Sequence, residues 1–185
     1  MLTGLENIRR FVLVVISLMA VPAILNAAEL TVADKKRIVS QMFAEYSKEF
    51  PSVKTMGPKK ALAIAGSEDL VLVDVRHEKE MAVSIIPGAV TKSEFLSQKE
   101  SYSDKTIVAY CTIGYRSGIF AAEMQKQGMD VYNLKGGILS WVLEGGQVRN
   151  NTGIVKQLHV YGDKWSYVPE GYDAIVFGFF ERMLK

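Results

Sequence analysis

The sequence predicts an α/β domain: a central, mostly parallel sheet with helices on both faces. Two patterns support this. Leu70–Val75, Ile107–Tyr110 and Val131–Leu134 are short, continuous, valine-rich apolar runs, as expected of strands buried on both faces. Between the last two, Arg116–Gln127 spaces Ile119, Phe120, Ala122 and Met124 for a helix that Gly128 ends. Strand, loop, helix and strand in about 28 residues make a βαβ unit, which implies parallel strands covered by helices. The 185 residues are 49% hydrophobic and 23% charged, a globular balance with room for one domain and short extensions.

Residues 1–28 read as an address, not as part of the fold. Arg9 and Arg10 precede the apolar run Phe11–Leu25, which leads into Asn26-Ala27-Ala28. A basic start, an apolar stretch and small residues before a polar boundary describe a secretory signal peptide. The run is short for a bilayer-spanning helix and is broken by Pro22. Because Asn26 or Leu25 stands where a small residue is preferred, an uncleaved inner-membrane anchor remains the alternative. The expected location is periplasmic or secreted.

An N-terminal helical extension covers 29–54. Its helix lies in 31–50, capped by Thr31 or Asp34, with Ile38, Met42, Phe43 and Tyr46 at helical spacing and Pro51 as its stop. Lys35, Lys36 and Arg37 are expected on its solvated face. A short helix follows at 58–65, with Pro58 suited to its first turn. The main domain spans 55–146. Residues 147–185 form a C-terminal extension with turn signals at Asn150-Asn151-Thr152-Gly153 and Pro169-Glu170-Gly171, packed on the domain, its aromatics Tyr161, Trp165 and Tyr167 covering the core, with the lining of a pocket or an interface as their other reading.

The chain has one cysteine, Cys111, and two histidines, His77 and His159. An intramolecular disulfide and a multi-cysteine metal site are excluded, and a histidine-rich site is hard to assemble. The formal charge of +2 gives little field for a nucleic acid, so none is expected as a partner. No phosphate-binding loop, dinucleotide fingerprint or zinc-protease motif occurs, and no cofactor or metal is expected. For an exported protein, an isolated thiol is either hidden or used.

Cys111 follows the Ile107–Tyr110 run and precedes a helix, at the sheet edge where open α/β folds bind ligands. The loop Cys111-Thr112-Ile113-Gly114-Tyr115-Arg116-Ser117 is able to curl so that the amides of 112–116 face the sulfur, with a helix N-terminus beneath. Gly114 permits the left-handed turn such a curl needs. That setting, together with the Arg116 guanidinium, favours a thiolate. A small buried hydrophobe at a strand end is the other reading of the same residue.

The loop CTIGYRS resembles the active-site loop of rhodanese-type sulfurtransferases. Two further landmarks are similar to that family's signatures and fall in order: Asp74-Val75-Arg76, Glu80 and Ile86-Pro87-Gly88-Ala89 upstream, and Gly136-Gly137-Ile138-Leu139-Ser140-Trp141 downstream. The likeness covers roughly 55–145. One departure is Ser84-Ile85, where the family often has Gly-His. The resemblance implies a five-stranded sheet and a single catalytic residue, Cys111, which takes a sulfane sulfur from thiosulfate, polysulfide or a persulfide and passes it to a thiol or cyanide.

In this reading the amides of Thr112, Ile113, Gly114, Tyr115 and Arg116 hold the negative charge, and Arg116 also steers an anionic donor, with a salt bridge at the helix start as its other reading. Asp74, Arg76 and Glu80 are a structural brace; Gly136, Gly137 and Trp141 serve turns and packing. His77 is a surface residue, and nothing places His159 near the loop. A cysteine phosphatase with such a loop needs its arginine one position later, at Ser117. A non-catalytic sulfur- or protein-binding module of the cell envelope is the alternative function.

Overall fold

The computed structural model describes residues 29–178. The leader 1–28 and the last residues of the apolar segment 174–183 lie outside them. Among the described residues, no helix is long and apolar enough to cross a membrane.

Helix α1, Val32–Ser47, starts at a capping box: Thr31 Oγ1 accepts from the Asp34 amide at 3.1 Å, and the Asp34 carboxylate accepts from the Thr31 amide. This pairing satisfies two N-terminal groups that would otherwise lack partners. The helix buries Val39 and Phe43. Its basic cluster does more than meet solvent. Lys35 Nζ donates to the Val168 carbonyl of the C-terminal extension at 3.0 Å. Lys36 pairs with Glu144 at 2.8 Å, and Arg37 pairs with Asp34 within the helix. Lysine stems long enough to reach neighbouring elements tie α1 to both.

The central sheet has five strands: β1 (Thr55–Met56), β2 (Leu70–Asp74), β3 (Val90–Thr91), β4 (Thr106–Tyr110) and β5 (Val131–Leu134). They lie in the order β1-β5-β4-β2-β3, and every pairing is parallel. The helices between them are α2 (Pro58–Ala63), α3 (Glu78–Val83), α4 (Lys92–Ser97), α5 (Tyr115–Lys126) and, after β5, α6 (Gly137–Leu143).

Alternating strand residues enter two cores. Leu72, Val108 and Tyr110 meet Val39, Ile138 and Leu139 from α1 and α6. Val71, Val73, Ile107 and Ala109 meet Phe95, Phe120 and Met124 from α4 and α5. Burial on both faces explains the unbroken apolar runs.

The C-terminal extension forms an antiparallel hairpin, β6 (Val148–Asn150) with β7 (Gly153–Val155), and a parallel pair, β8 (Gln157–His159) with β9 (Asp173–Ile175). Leu158 and Val160 are fully buried in the first core, which anchors this segment over the carboxyl edge of the sheet.

Candidate active site

β4 ends at Tyr110, and α5 starts at Tyr115. Cys111 therefore opens a four-residue loop at the carboxyl edge of the central strand. The side chain is buried, with 2% of the residue exposed, and lines a cavity of about 440 Å³. The Gly114 amide donates to Sγ at 3.1 Å, a hydrogen bond that favours a negatively charged sulfur.

Gly114 has φ of 111°, so the expected left-handed turn is present. A Cβ there would also lie 2.5 Å from the Phe43 ring of α1. Thr112, Ile113 and Tyr115 line the same cavity.

Two polar residues that sequence reasoning did not select hold the loop from below. Asn133, buried on β5, donates through Nδ2 to the Gly114 carbonyl at 2.8 Å. Its Oδ1 accepts from the Ser117 hydroxyl at 2.7 Å, whose oxygen stands 3.6 Å from Sγ. The available signal was a lone amide in the apolar strand Val-Tyr-Asn-Leu, since a buried polar group requires partners.

The expected brace divides into two separate ion pairs. Asp74 and Arg76 bond bidentately, with Nε–Oδ1 at 2.9 Å and Nη2–Oδ2 at 2.7 Å, both side chains fully buried. Arg76 also reaches the Ser84 carbonyl at 2.6 Å and so anchors the Ser84-Ile85 stretch. Glu80 turns the other way and receives Arg116 bidentately, at 2.7 and 2.9 Å. It also meets His159 Nδ1 at 3.1 Å.

Arg116 is therefore no free cation waiting for a donor anion: its charge is matched by a carboxylate. His159, expected to be remote, is brought to the same carboxylate by β8. His77 is exposed just before α3, as expected. Burial pushes the Glu80 carboxyl up, but hydrogen bonds from His159 and Arg116, with the guanidinium charge, hold it far below the ordinary range.

The sign of this shift fixes a pH dependence. A depressed carboxyl contributes stability above its unfolded value near 4.5, and that stability falls away as pH drops further. Glu80→Gln is expected to lower unfolding free energy by about 2–3 kcal/mol at pH 7, since it leaves a mostly buried guanidinium underpaired. The gap to the parent should narrow steadily below pH 4.5. Urea titrations at pH 7 and pH 3 measure both values.

The Gly136-Gly137 pair lies directly under the loop. The amides of Ile138 and Leu139 donate to the carbonyls of Cys111 and Thr112 at 2.9 and 3.2 Å. Trp141 is a packing residue, buried and donating to the Gln147 carbonyl.

The rest of the cavity wall comes from outside the central domain: Tyr46 and Glu49 from α1 and its exit, and Tyr161 and Trp165 from the C-terminal extension. Trp165 and Tyr167 do pack on the core as expected. Tyr161 and Trp165 in addition face the sulfur's cavity.

A profile of the rhodanese-like domain matches residues 57–144. A protein named sulfurtransferase from Allochromatium vinosum is 37% identical over 86 residues, 44% of this chain and 80% of that protein. The chain belongs to the rhodanese-like domain family.

Other relatives are longer than the shared region. A tRNA uridine(34) hydroxylase of Cupriavidus metallidurans is 37% identical over 109 residues, covering 52% of this chain and 39% of its own length. A tRNA sulfurtransferase of Desulfurococcus amylolyticus is 31% identical, covering 55% of this chain and 22% of its own length. The chain thus spans well under half of these two. Among solved structures, the thiosulfate sulfurtransferase of Pseudomonas aeruginosa superposes with a TM-score of 0.50 at 18% identity, over 62% of this chain and 23% of that one, a likeness of fold.

Proposed function

We propose that this rhodanese-like domain is a sulfurtransferase working through a persulfide on Cys111. The observation that carries the reading is the sulfur itself: buried at the end of β4, held by the Gly114 amide, and lining an open cavity. The Cys111 thiolate attacks the outer sulfur of a sulfane donor such as thiosulfate, polysulfide or a persulfide. A bond forms from Sγ to that sulfur, and the bond to the donor breaks. The departing sulfite or thiolate leaves with the electron pair. A thiol or cyanide acceptor then attacks the outer sulfur and Cys111 recovers its thiolate. The Gly114 amide steadies the sulfur charge in each state, in the manner of an oxyanion hole.

The leader-like residues 1–28 support a periplasmic setting, and the charge of +2 supports a small-molecule donor over a nucleic acid. The test is to incubate the protein purified from the cell envelope with thiosulfate and with polysulfide, then weigh it. A gain of about 32 Da that cyanide removes is the expected result; the same spectrum reads whether the chain starts after Ala28. A Cys111 that stays unmodified with every donor overturns the enzyme and leaves a binding module.

With Arg116 committed to Glu80, thiosulfate is expected to be a poor donor. Tyr115→Arg should lower its KM by about two- to fivefold, as partly exposed charges do. Glu49, which accepts from the Tyr115 hydroxyl at 3.0 Å, takes up part of the new charge and keeps the effect modest. Steady-state kinetics with thiosulfate measures it.

A further inference from the structure

The wall of the Cys111 cavity carries four aromatic side chains, Tyr46, Tyr115, Tyr161 and Trp165. Three of them lie outside the segment matched by the family profile, 57–144. They are organised as a set: Tyr46 meets Tyr115 edge-on at 5.6 Å between ring centroids, and Tyr161 meets Trp165 edge-on at 5.9 Å. The Arg116 guanidinium lies 5.0 Å from the Tyr161 centroid and backs that ring.

Charge on this wall is low. Among the described residues Arg116 is its one cationic lining residue, and it is held by Glu80. Glu49 brings a carboxylate to the rim. Burial, opposed by Arg116 and helped by Glu80, pushes the Tyr161 phenol up to about 12, so it stays neutral. Lys164 stacks on Trp165 at 4.0 Å and is not among the lining residues. A cavity of about 440 Å³ falls in the range that holds an organic ligand and far exceeds what a thiosulfate ion fills.

We propose that this aromatic collar selects an organic sulfane-sulfur donor, one that carries an apolar or aromatic group to pack against Tyr161 and Trp165 while its outer sulfur meets Cys111. The proposal rests on the sulfur-transfer reading and names its donor class. In the probe reaction, the Cys111 thiolate attacks the outer sulfur of benzenethiosulfonate. The Sγ–S bond forms and the S–S bond to the sulfonyl group breaks. Benzenesulfinate leaves with the electron pair, and the persulfide anion remains.

The experiment compares benzenethiosulfonate with methanethiosulfonate, two monoanions that deliver the same sulfur and differ in the carbon group. Loading rates of Cys111 are read by mass, and the aromatic-to-methyl ratio is divided by the same ratio for free glutathione. A corrected ratio of about tenfold or more is expected from burying one ring against two aromatic side chains. Trp165→Ala and Tyr161→Ala should each bring it down severalfold, and two variants guard against a local packing defect in either. A corrected ratio near one in the parent, or a ratio that both variants keep, overturns the collar while sulfur transfer stands. Failure of both probes, and of thiosulfate and polysulfide, to load Cys111 overturns the sulfur-transfer reading along with it.

Discussion

Cys111→Ser is expected to abolish sulfur loading while melting within a few degrees of the parent. The serine hydroxyl holds its proton at neutral pH, and its oxygen is a poor partner for sulfane sulfur, whereas a thiol with an ordinary value near ~8.5 is already a few per cent thiolate. The fold has little reason to object. Serine Oγ accepts from the Gly114 amide as Sγ does at 3.1 Å, and it meets the Ser117 hydroxyl on the same side. The smaller atom leaves a minor gap at the foot of the cavity, costing about 1 kcal/mol or less. Mass spectrometry after donor treatment, paired with a thermal melt, separates the two effects. Sulfur transfer from donor to acceptor that persists at the parental rate in the serine variant would remove Cys111 from the mechanism.

Gly137→Ala is expected to damage stability and loading together. Gly137 has φ of +55°, and a Cβ built on it would lie 2.3 Å from the Cys111 carbonyl oxygen and 2.7 Å from the Thr112 carbonyl carbon and oxygen. Those are backbone atoms, so no side-chain rotation relieves the contact. The left-handed conformation costs alanine about 1–2 kcal/mol, and overpacking adds about 1–3 kcal/mol. Together they predict a fall in melting temperature of about 10 °C. Any relaxation pushes the Cys111–Thr112 peptide off its bonds to the Ile138 and Leu139 amides and carries the sulfur away from Gly114. Loading should drop at least about tenfold in protein that is still folded at 20–25 °C. A variant with parental melting and parental loading would show that the loop does not depend on this close approach.

The parts of this protein legible in sequence are those with a repeating physical signal. β2, β4 and β5 are buried on both faces and declare themselves as valine-rich runs. The edge strands β1 and β3 have two residues each, too short for any periodicity, and α3, α4 and α6 span six or seven residues. The five-stranded sheet was therefore reachable through the family resemblance and not from pattern.

Within the site, Cys111 and the Gly114 turn could be read from the order strand, cysteine, glycine, helix. The partners could not. Glu80 and Arg116 are separated by 36 positions, and Glu80 and His159 by 79. Nothing local in the chain tells a carboxylate that follows Asp74 and Arg76 that it faces the other way. Tyr161 and Trp165 have the composition of core cover, and what makes them a cavity wall is the path of β8 across the sheet edge.

The hydrogen bond from Lys35 to the Val168 carbonyl has a meaning beyond packing. It joins α1 to the C-terminal extension, the two segments that flank the family-matched residues 57–144 and that supply Tyr46, Glu49, Tyr161 and Trp165 to the cavity wall. Cys111 and its Gly114 partner thus come from one stretch of chain, and much of the cavity wall comes from two others. Substitutions at Tyr46, Tyr161 or Trp165 are therefore expected to alter what reaches the sulfur while leaving the Cys111–Gly114 contact in place.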